Sequence, residues 1–346
     1  MNKESLISII VLNYNAGNLL LDCDESIKKS SYENIEILVV DNISSDGSQI
    51  KCKKKFPDIK LIQNEKNLGY CGGNNVGIKE AKGEFIVILN PDTIVESNWI
   101  NELLIAQKEF GDALYQPKIL SLNEENIIQS TGNMLHVFGF GFARDKGRKV
   151  VEKIEDVEKI GYASGTCLFT SKDVIDKVGL LDEFLFLYHD DLDLGWRAAQ
   201  IGISSFYVPK SKIFHVESYS LKWSAKKFFW LERNRKYCLL THYSKNTYKK
   251  MRFSLILVDL FVWAFYFSKG FLGAKIKAES EIRKNKRNIE EKYQELESKK
   301  IISDKELIKR FPDEIFVPTN VSQQSMNQTF NSILTRLSKK VKQKIK

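Results

Sequence analysis

The chain has 346 residues and only five cysteines, Cys23, Cys52, Cys71, Cys167 and Cys238, with no two in CxxC spacing. So sparse, odd and unpatterned a set argues against a disulfide scaffold or a zinc knuckle and fits a reducing cytosol. The opening MNKESLISIIVLNYN offers one lysine and an apolar run of only Leu6–Leu12. A signal peptide needs a longer apolar core and a small-residue cleavage site, so this run reads as a buried strand. GxGxxG is absent, which makes a dinucleotide fingerprint a poor fit. A surplus of one charge throughout is absent too. The net charge of +9 averages a front of 24 basic and 32 acidic side chains (residues 1–220) and a rear of 29 basic and 12 acidic ones (221–346). That asymmetry argues against a nucleic-acid binder, because the acidic front would repel phosphate.

Hydrophobic residues make up 43% and charged residues 28%, as in ordinary globular proteins. The length suits about two domains, or one with an extension. Four apolar runs, LISIIVL (6–12), IEILVVD (35–41), IKLIQN (59–64) and EFIVILN (84–90), alternate with the helix-compatible stretches Leu19–Ser30, Gly47–Phe56 and Gly73–Lys82. Continuous β-branched runs alternating with helices predict a mostly parallel sheet covered on both faces. Ligands of such sheets bind beyond the carboxyl ends of the strands. Those ends carry Asn13–Asn15, Asp41–Asp46, Asn64–Gly77 and Asn90–Thr93. Farther on, Gly132–Phe142 reads as a hairpin or loop, Tyr162–Thr170 as a strand and Asp190–Ile201 as a helix. Ser204–Val208 and Lys212–Val216 read as two short strands. From about residue 221 the composition turns basic, aromatic and helical, and the last ~30 residues read as a poorly ordered tail.

Three acidic groups could carry chemistry. Asp41 closes a strand in VVDNISSDGS, Asp92 follows one in LNPDT, and Asp190, Asp191 and Asp193 cluster in FLYHDDLDLGWR. A strand-end carboxylate can accept from a base or ribose, and one just beyond a strand can hold a divalent cation. Turn formation competes as a reading of Asp41 and Asp92, and helix capping as a reading of Asp190–Asp193. The glycine segment NLGYCGGNNVG (67–77) permits close backbone approach, or is simply a flexible loop. His215 in KIFHVESYS is one of four histidines. A lone histidine is more often structural, but imidazole beside carboxylate suits Mn²⁺.

Together these segments resemble family 2 glycosyltransferases with the GT-A fold, particularly the rhamnosyltransferase-like branch. SIIVLNYN (8–15) resembles the first nucleotide-binding strand, VVDNISSDGS (39–48) the base segment, NLGYCGGNNVG the donor loop and LNPDT (89–93) the metal-binding DxD element. GYASGTCLF (161–169) resembles the acceptor-side segment, LDEFLFLYHDDLDLGWR (181–197) the catalytic-base segment and ERNR (232–235) the basic motif after the catalytic domain. The resemblance spans about residues 1–240. It implies an α/β GT-A fold, Rossmann-like, with a helical, basic C-terminal extension. It also implies a nucleotide-diphosphate sugar as donor, a glycan or lipid-linked acceptor, and Mn²⁺ or Mg²⁺ as cofactor. Asp191 would be the general base, with Asp190 and Asp193 as supports. Asn13, Asn15, Asp41, Asn42, Asn67, Gly69, Gly72, Asn74, Asn90 and Asp92 would hold the donor. Ser164, Gly165, Trp196 and Arg197 would face the acceptor, and Asp92 and His215 would bind the metal. Asn90 stands where a strict DxD has its first aspartate, leaving one strong carboxylate.

The rear divides at the sequence level into a helical extension (221–310) and a polar, basic tail (311–346). FSLILVDLFVWAFYFS (253–268) has 16 residues with Asp259 near its centre. A span needs about 20 apolar residues, and a central aspartate costs roughly 2.5–3.5 kcal/mol on insertion scales. With Lys249, Lys250 and Arg252 before it, Lys269, Lys275 and Lys277 after it, and Trp223, Phe228, Phe229, Trp230 and Trp263 nearby, it reads as a helix lying in an anionic membrane surface. A helix packed on protein, or in a homo-oligomer, is the alternative. The expected location is the cytoplasmic face of the cell membrane, peripheral or monotopic. Two other functions compete with glycosyl transfer: a non-catalytic membrane adaptor on the same fold, and a metal-dependent nucleotidyltransferase.

Overall fold

A computed structural model describes residues 4–151, 156–216, 224–315 and 324–345; Trp223 lies outside them. In chain order the elements are β1 (Ile7–Asn13), α1 (Asn18–Lys28), β2 (Ile35–Asp41), α2 (Ser48–Lys55), β3 (Lys60–Gln63), α3 (Gly69–Glu80), β4 (Phe85–Leu89), β5 (Thr93–Val95), α4 (Trp99–Phe110), β6 (Leu114–Ser121), β7 (Ile128–Ser130), β8 (Asn133–Leu135), β9 (Gly141–Ala143), β10 (Glu158–Ile160), β11 (Cys167–Ser171), α5 (Lys172–Val178), α6 (Asp190–Gln200) and β12 (Ser205–His215). The helices α7 (Ala225–His242), α8 (Lys245–Ser268), α9 (Leu272–Lys284), α10 (Lys286–Lys299), α11 (Asp304–Arg310) and α12 (Gln324–Lys344) follow.

The chain forms two compact units. The first comprises residues 1–133, 143–195 and 203–219; the second comprises 134–142, 196–202 and 220–346. The main sheet of the first runs β10-β12-β6-β11-β4-β1-β2-β3, with β5 on β12 and β7 on β6. β3, β2, β1 and β4 are parallel neighbours. Their core residues Ile7, Ile9, Val11, Val39 and Val87 are fully buried, which is why these runs are continuously apolar rather than alternating. The strand order reverses about β1, and the register sets Asn13 beside Asp41 at the carboxyl ends, where this architecture places ligands. β11 runs antiparallel between β4 and β6.

Three elements differ from the sequence reading. Ser204–Val208 and Lys212–Val216 are one strand, β12, whose register shifts between Val208 and Lys212. The helix read over Gly73–Lys82 begins earlier, at Gly69, so most of the glycine segment is α3 and the flexible-loop alternative falls away. A Cβ at Gly73 would lie 2.3 Å from Leu12, and one at Gly77 would lie 2.4 Å from Ile10. These glycines therefore let the helix approach β1. Finally, residues 324–344 form α12 where a poorly ordered tail was expected. Leu334, Leu337, Val341 and Ile345 recur at helical spacing and are buried.

All five cysteines are buried, and none is in a disulfide. Cys52 donates to the Asp24 carboxylate at 2.7 Å, and burial pushes the Asp24 carboxyl up to about 7. Folding therefore favours the protonated acid. The contribution of Asp24 to stability is complete below its ordinary value near 4 and is lost as pH rises through about 7. Asp24→Asn should accordingly gain on the parent between pH 5 and pH 9, by at most about 3 kcal/mol, in urea titrations at both pH values. An unchanged difference between the two would contradict this.

Candidate active site

The residues expected on the donor side form one hydrogen-bonded floor at the ends of β1 and β2. Asn13 Nδ2 donates to Asp41 Oδ1 at 2.7 Å and to Ser48 Oγ at 2.9 Å. Asp41 Oδ2 accepts from the Ser44 N–H at 2.9 Å. Asn15, at φ 54°, accepts from the Ser45 N–H at 2.7 Å. Asn42 Nδ2 donates to the Gly69 carbonyl, and its Oδ1 accepts from Asn64 Nδ2 at 2.8 Å. Asn67 Oδ1 accepts from the Gly69 N–H at 2.8 Å. Asn74 is fully buried and donates to the Tyr70 carbonyl. A Cβ on Gly72 would lie 2.8 Å from Leu68 Cβ. Asn67, Gly69, Gly72 and Asn74 thus shape the start of α3, and Asn42 ties it to β2.

Gly69 has φ 71°, and a Cβ there would lie 2.5 Å from the Phe186 carbonyl oxygen. That carbonyl accepts from the Tyr70 N–H at 2.6 Å, so the turn before the acidic cluster caps α3. The turn holds Phe186, Tyr188 and His189 at φ 62°, 67° and 62°. Left-handed geometry at three non-glycine residues is strain of the kind functional sites retain. It carries no sequence signal.

α6 opens with the three acids. Asp191 Oδ2 accepts from the Gly165 N–H at 3.1 Å, and Oδ1 accepts from the Leu192 N–H at 2.8 Å. Burial raises the Asp191 carboxyl, with those two N–H groups opposing. Asp190 is raised further, by burial and then by the Asp191 charge. Gly165 also accepts, through its carbonyl, from the Tyr70 hydroxyl. Tyr70 therefore holds the Gly165 turn, and that turn positions Asp191. Ser164 supports the turn, with its N–H on Gln116 Oε1 at 2.8 Å and its Oγ accepting from Thr166 at 3.2 Å.

Asp92 and His215 meet because β5 pairs with β12, setting Thr93 opposite His215. His215 Nε2 lies 3.3 Å from Asp92 Oδ1, and Gln129 Oε1 lies 2.7 Å from His215 Nδ1. A carboxylate oxygen and an imidazole nitrogen, with a partner fixing the ring, fit Mn²⁺ or Mg²⁺. Gln129 had no motif to announce it. Asn90 contributes backbone here: its N–H donates to the Thr166 carbonyl at 3.0 Å.

Trp196 and Arg197 fall in the second compact unit. Trp196 belongs to the second unit, 1% exposed, with its ring 4.6 Å from His242, 4.9 Å from Tyr243 and 5.7 Å from Phe311 between centroids. Arg197 is buried in that unit too. A buried aromatic cluster explains Trp196 as core and leaves it no face for an acceptor. Another acidic group, Glu232, Asp259 and Glu279, brings its oxygens within 4.8 Å of one another. Its cation is Lys275 Nζ, at 2.5, 2.7 and 2.8 Å from the three. Arg235 of the ERNR motif makes a paired contact to Glu232 at 2.8 Å, so that guanidinium is committed to structure.

Residues 8–179 match the family model described as glycosyl transferase family 2. The low-salt glycan biosynthesis hexosyltransferase Agl10 of Haloferax volcanii is 29% identical over 209 residues, 57% of this chain and 63% of Agl10. The N-acetylglucosaminyl-diphospho-decaprenol L-rhamnosyltransferase of Mycobacterium tuberculosis is 25% identical over 237 residues, 62% of this chain and 77% of that protein. The chain thus spans less than two thirds of the haloarchaeal relative. Among solved structures, GalNAc-T7 with UDP, GalNAc and Mn²⁺ superposes at a TM-score of 0.59 with 17% identity, over 72% of this chain and 50% of that one. The chain carries a glycosyl transferase family 2 domain on a GT-A fold.

Proposed function

We propose that the chain is an inverting, metal-dependent glycosyltransferase. It would move a sugar, rhamnose or another hexose, from a nucleotide-diphosphate donor to a hydroxyl of a lipid-linked glycan in cell-surface polysaccharide synthesis. Residues 1–220 would be catalytic, 221–310 a membrane-associating extension and 311–346 its basic tail. The work would take place at the cytoplasmic face of the cell membrane. The observation that carries the proposal is Asp191: a half-buried carboxylate of raised proton affinity, fixed by two backbone N–H groups in the same unit as the Asp92–His215 pair. The names of the mycobacterial and haloarchaeal relatives support the lipid-linked acceptor and the hexose.

Asp41, with Asn13 and Ser44 fixing its oxygens, would accept from the nucleotide base. An acceptor hydroxyl is a poor nucleophile because its pKa lies far above 7. Asp191 takes its proton as the new bond forms, and Asp190 keeps a second acid beside it. A divalent cation held by Asp92 and His215 would neutralise the charge that builds on the leaving diphosphate. One base serves a single displacement, which inverts the anomeric centre. EDTA should abolish transfer, and added Mn²⁺ or Mg²⁺ should restore it. Transfer unaffected by EDTA would remove the metal role from Asp92 and His215.

A further inference from the structure

The helix α8 is long and apolar enough to cross a membrane by length and composition, yet its two faces differ. Met251, Ser254, Val258, Val262 and Tyr266 bury one side. At about 100° per residue, Phe253, Ile256, Leu260 and Phe267 fall on a single stripe about 60° wide on the other. They are 58%, 50%, 59% and 72% exposed. Solitary exposed apolar residues are ordinary, but a contiguous stripe of large ones marks an interaction surface. Asp259, the only acid on α8, does not interrupt the stripe. It turns to Lys275 and Lys236, at 2.7 and 3.2 Å. Ile276 of α9 adds a fifth exposed apolar group, at 53%.

The charges around the stripe choose its occupant. Lys249, Lys250 and Arg252 are exposed at one end, Lys269 and Lys277 at the other. Among the described residues, Lys249, Lys250 and Arg252 pair with no acid. A second copy docked through the same stripe would set basic ends against basic ends in either orientation. An anionic lipid surface meets both the apolar stripe and the cations.

We infer that the outer face of α8, led by Phe253, Ile256, Leu260 and Phe267, seats this protein on an anionic bilayer without crossing it. The inference rests on the membrane-presented acceptor proposed above and assigns the surface that reaches it. Asp259, turned to Lys275, keeps α8 anchored to α9 while the exposed stripe dips into the headgroup region.

The test is co-sedimentation of the full chain with phosphatidylglycerol vesicles and with phosphatidylcholine vesicles. The expected result is binding to the anionic vesicles only, released by high salt. Ile256→Glu with Leu260→Glu should weaken it at least about tenfold, and Lys249→Gln with Lys250→Gln and Arg252→Gln about 10²-fold. These positions are exposed, so thermal midpoints should stay near the parent's. Donor turnover measured in solution without lipid should also persist in these variants. Absence of parental binding at low salt would overturn the inference. So would binding that only detergent releases, which means a span, or a dimer that the Ile256→Glu and Leu260→Glu pair dissolves. Vesicle binding without donor turnover would instead sink the catalytic proposal and leave the surface standing.

Discussion

Asp191→Asn should lower glycosyl transfer by at least about 10²-fold and leave donor affinity near the parent's. Asparagine keeps the size of the side chain and an oxygen for the Gly165 or Leu192 N–H, so the turn should persist while the proton acceptor is lost. The parent's pH profile gives an independent reading. The base works ionised, and burial raises the Asp191 carboxyl, with Asp190 raised beside it. Activity should therefore fall with decreasing pH at values above the ordinary carboxylate range. Near-parental transfer by Asp191→Asn would remove the base assignment.

Lys275→Met should destabilise the second unit by about 3–5 kcal/mol, because removing one partner leaves an uncompensated buried charge. Lys275 is 0% exposed and central to a balanced network of Glu232, Asp259 and Glu279 with Arg235, Lys236 and itself. The double variant Lys275→Met with Glu232→Gln restores the balance and should recover part of the loss. Thermal or urea unfolding reads both. A single variant within about 0.5 kcal/mol of the parent would show that the network is not closed to water.

The parallel half of the sheet was legible because burial on both faces leaves uninterrupted runs such as IEILVVD, and polar residues follow where strands end. The acidic side chains were legible as motifs. Their partners were not: Gly165 reaches Asp191 across 26 residues, Tyr70 reaches Gly165 across 95 and Gln129 reaches His215 across 86, contacts that only tertiary folding creates. Trp196 misled because it sits one turn beyond the acidic cluster, and nothing in DLDLGWR says where α6 passes into an aromatic core. In the glycine segment close backbone approach was legible but its object was not: Gly73 and Gly77 lie where β1 leaves no room for a Cβ. The basic rear was read as charge seeking anions, although Lys275 and Arg235 are spent on buried carboxylates. The cations left for a membrane are the exposed ones bordering α8.

The most direct measurement is product analysis after the purified chain meets a panel of uracil, thymine and guanine nucleotide-sugars with Mn²⁺. Glycosyl transfer predicts release of nucleoside diphosphate from at least one donor, and loss of that release in Asp191→Asn when acceptor is supplied. Release of nucleoside monophosphate would instead mean nucleotidyl chemistry, and no turnover of any donor would mean a non-catalytic use of the fold; either result contradicts the account.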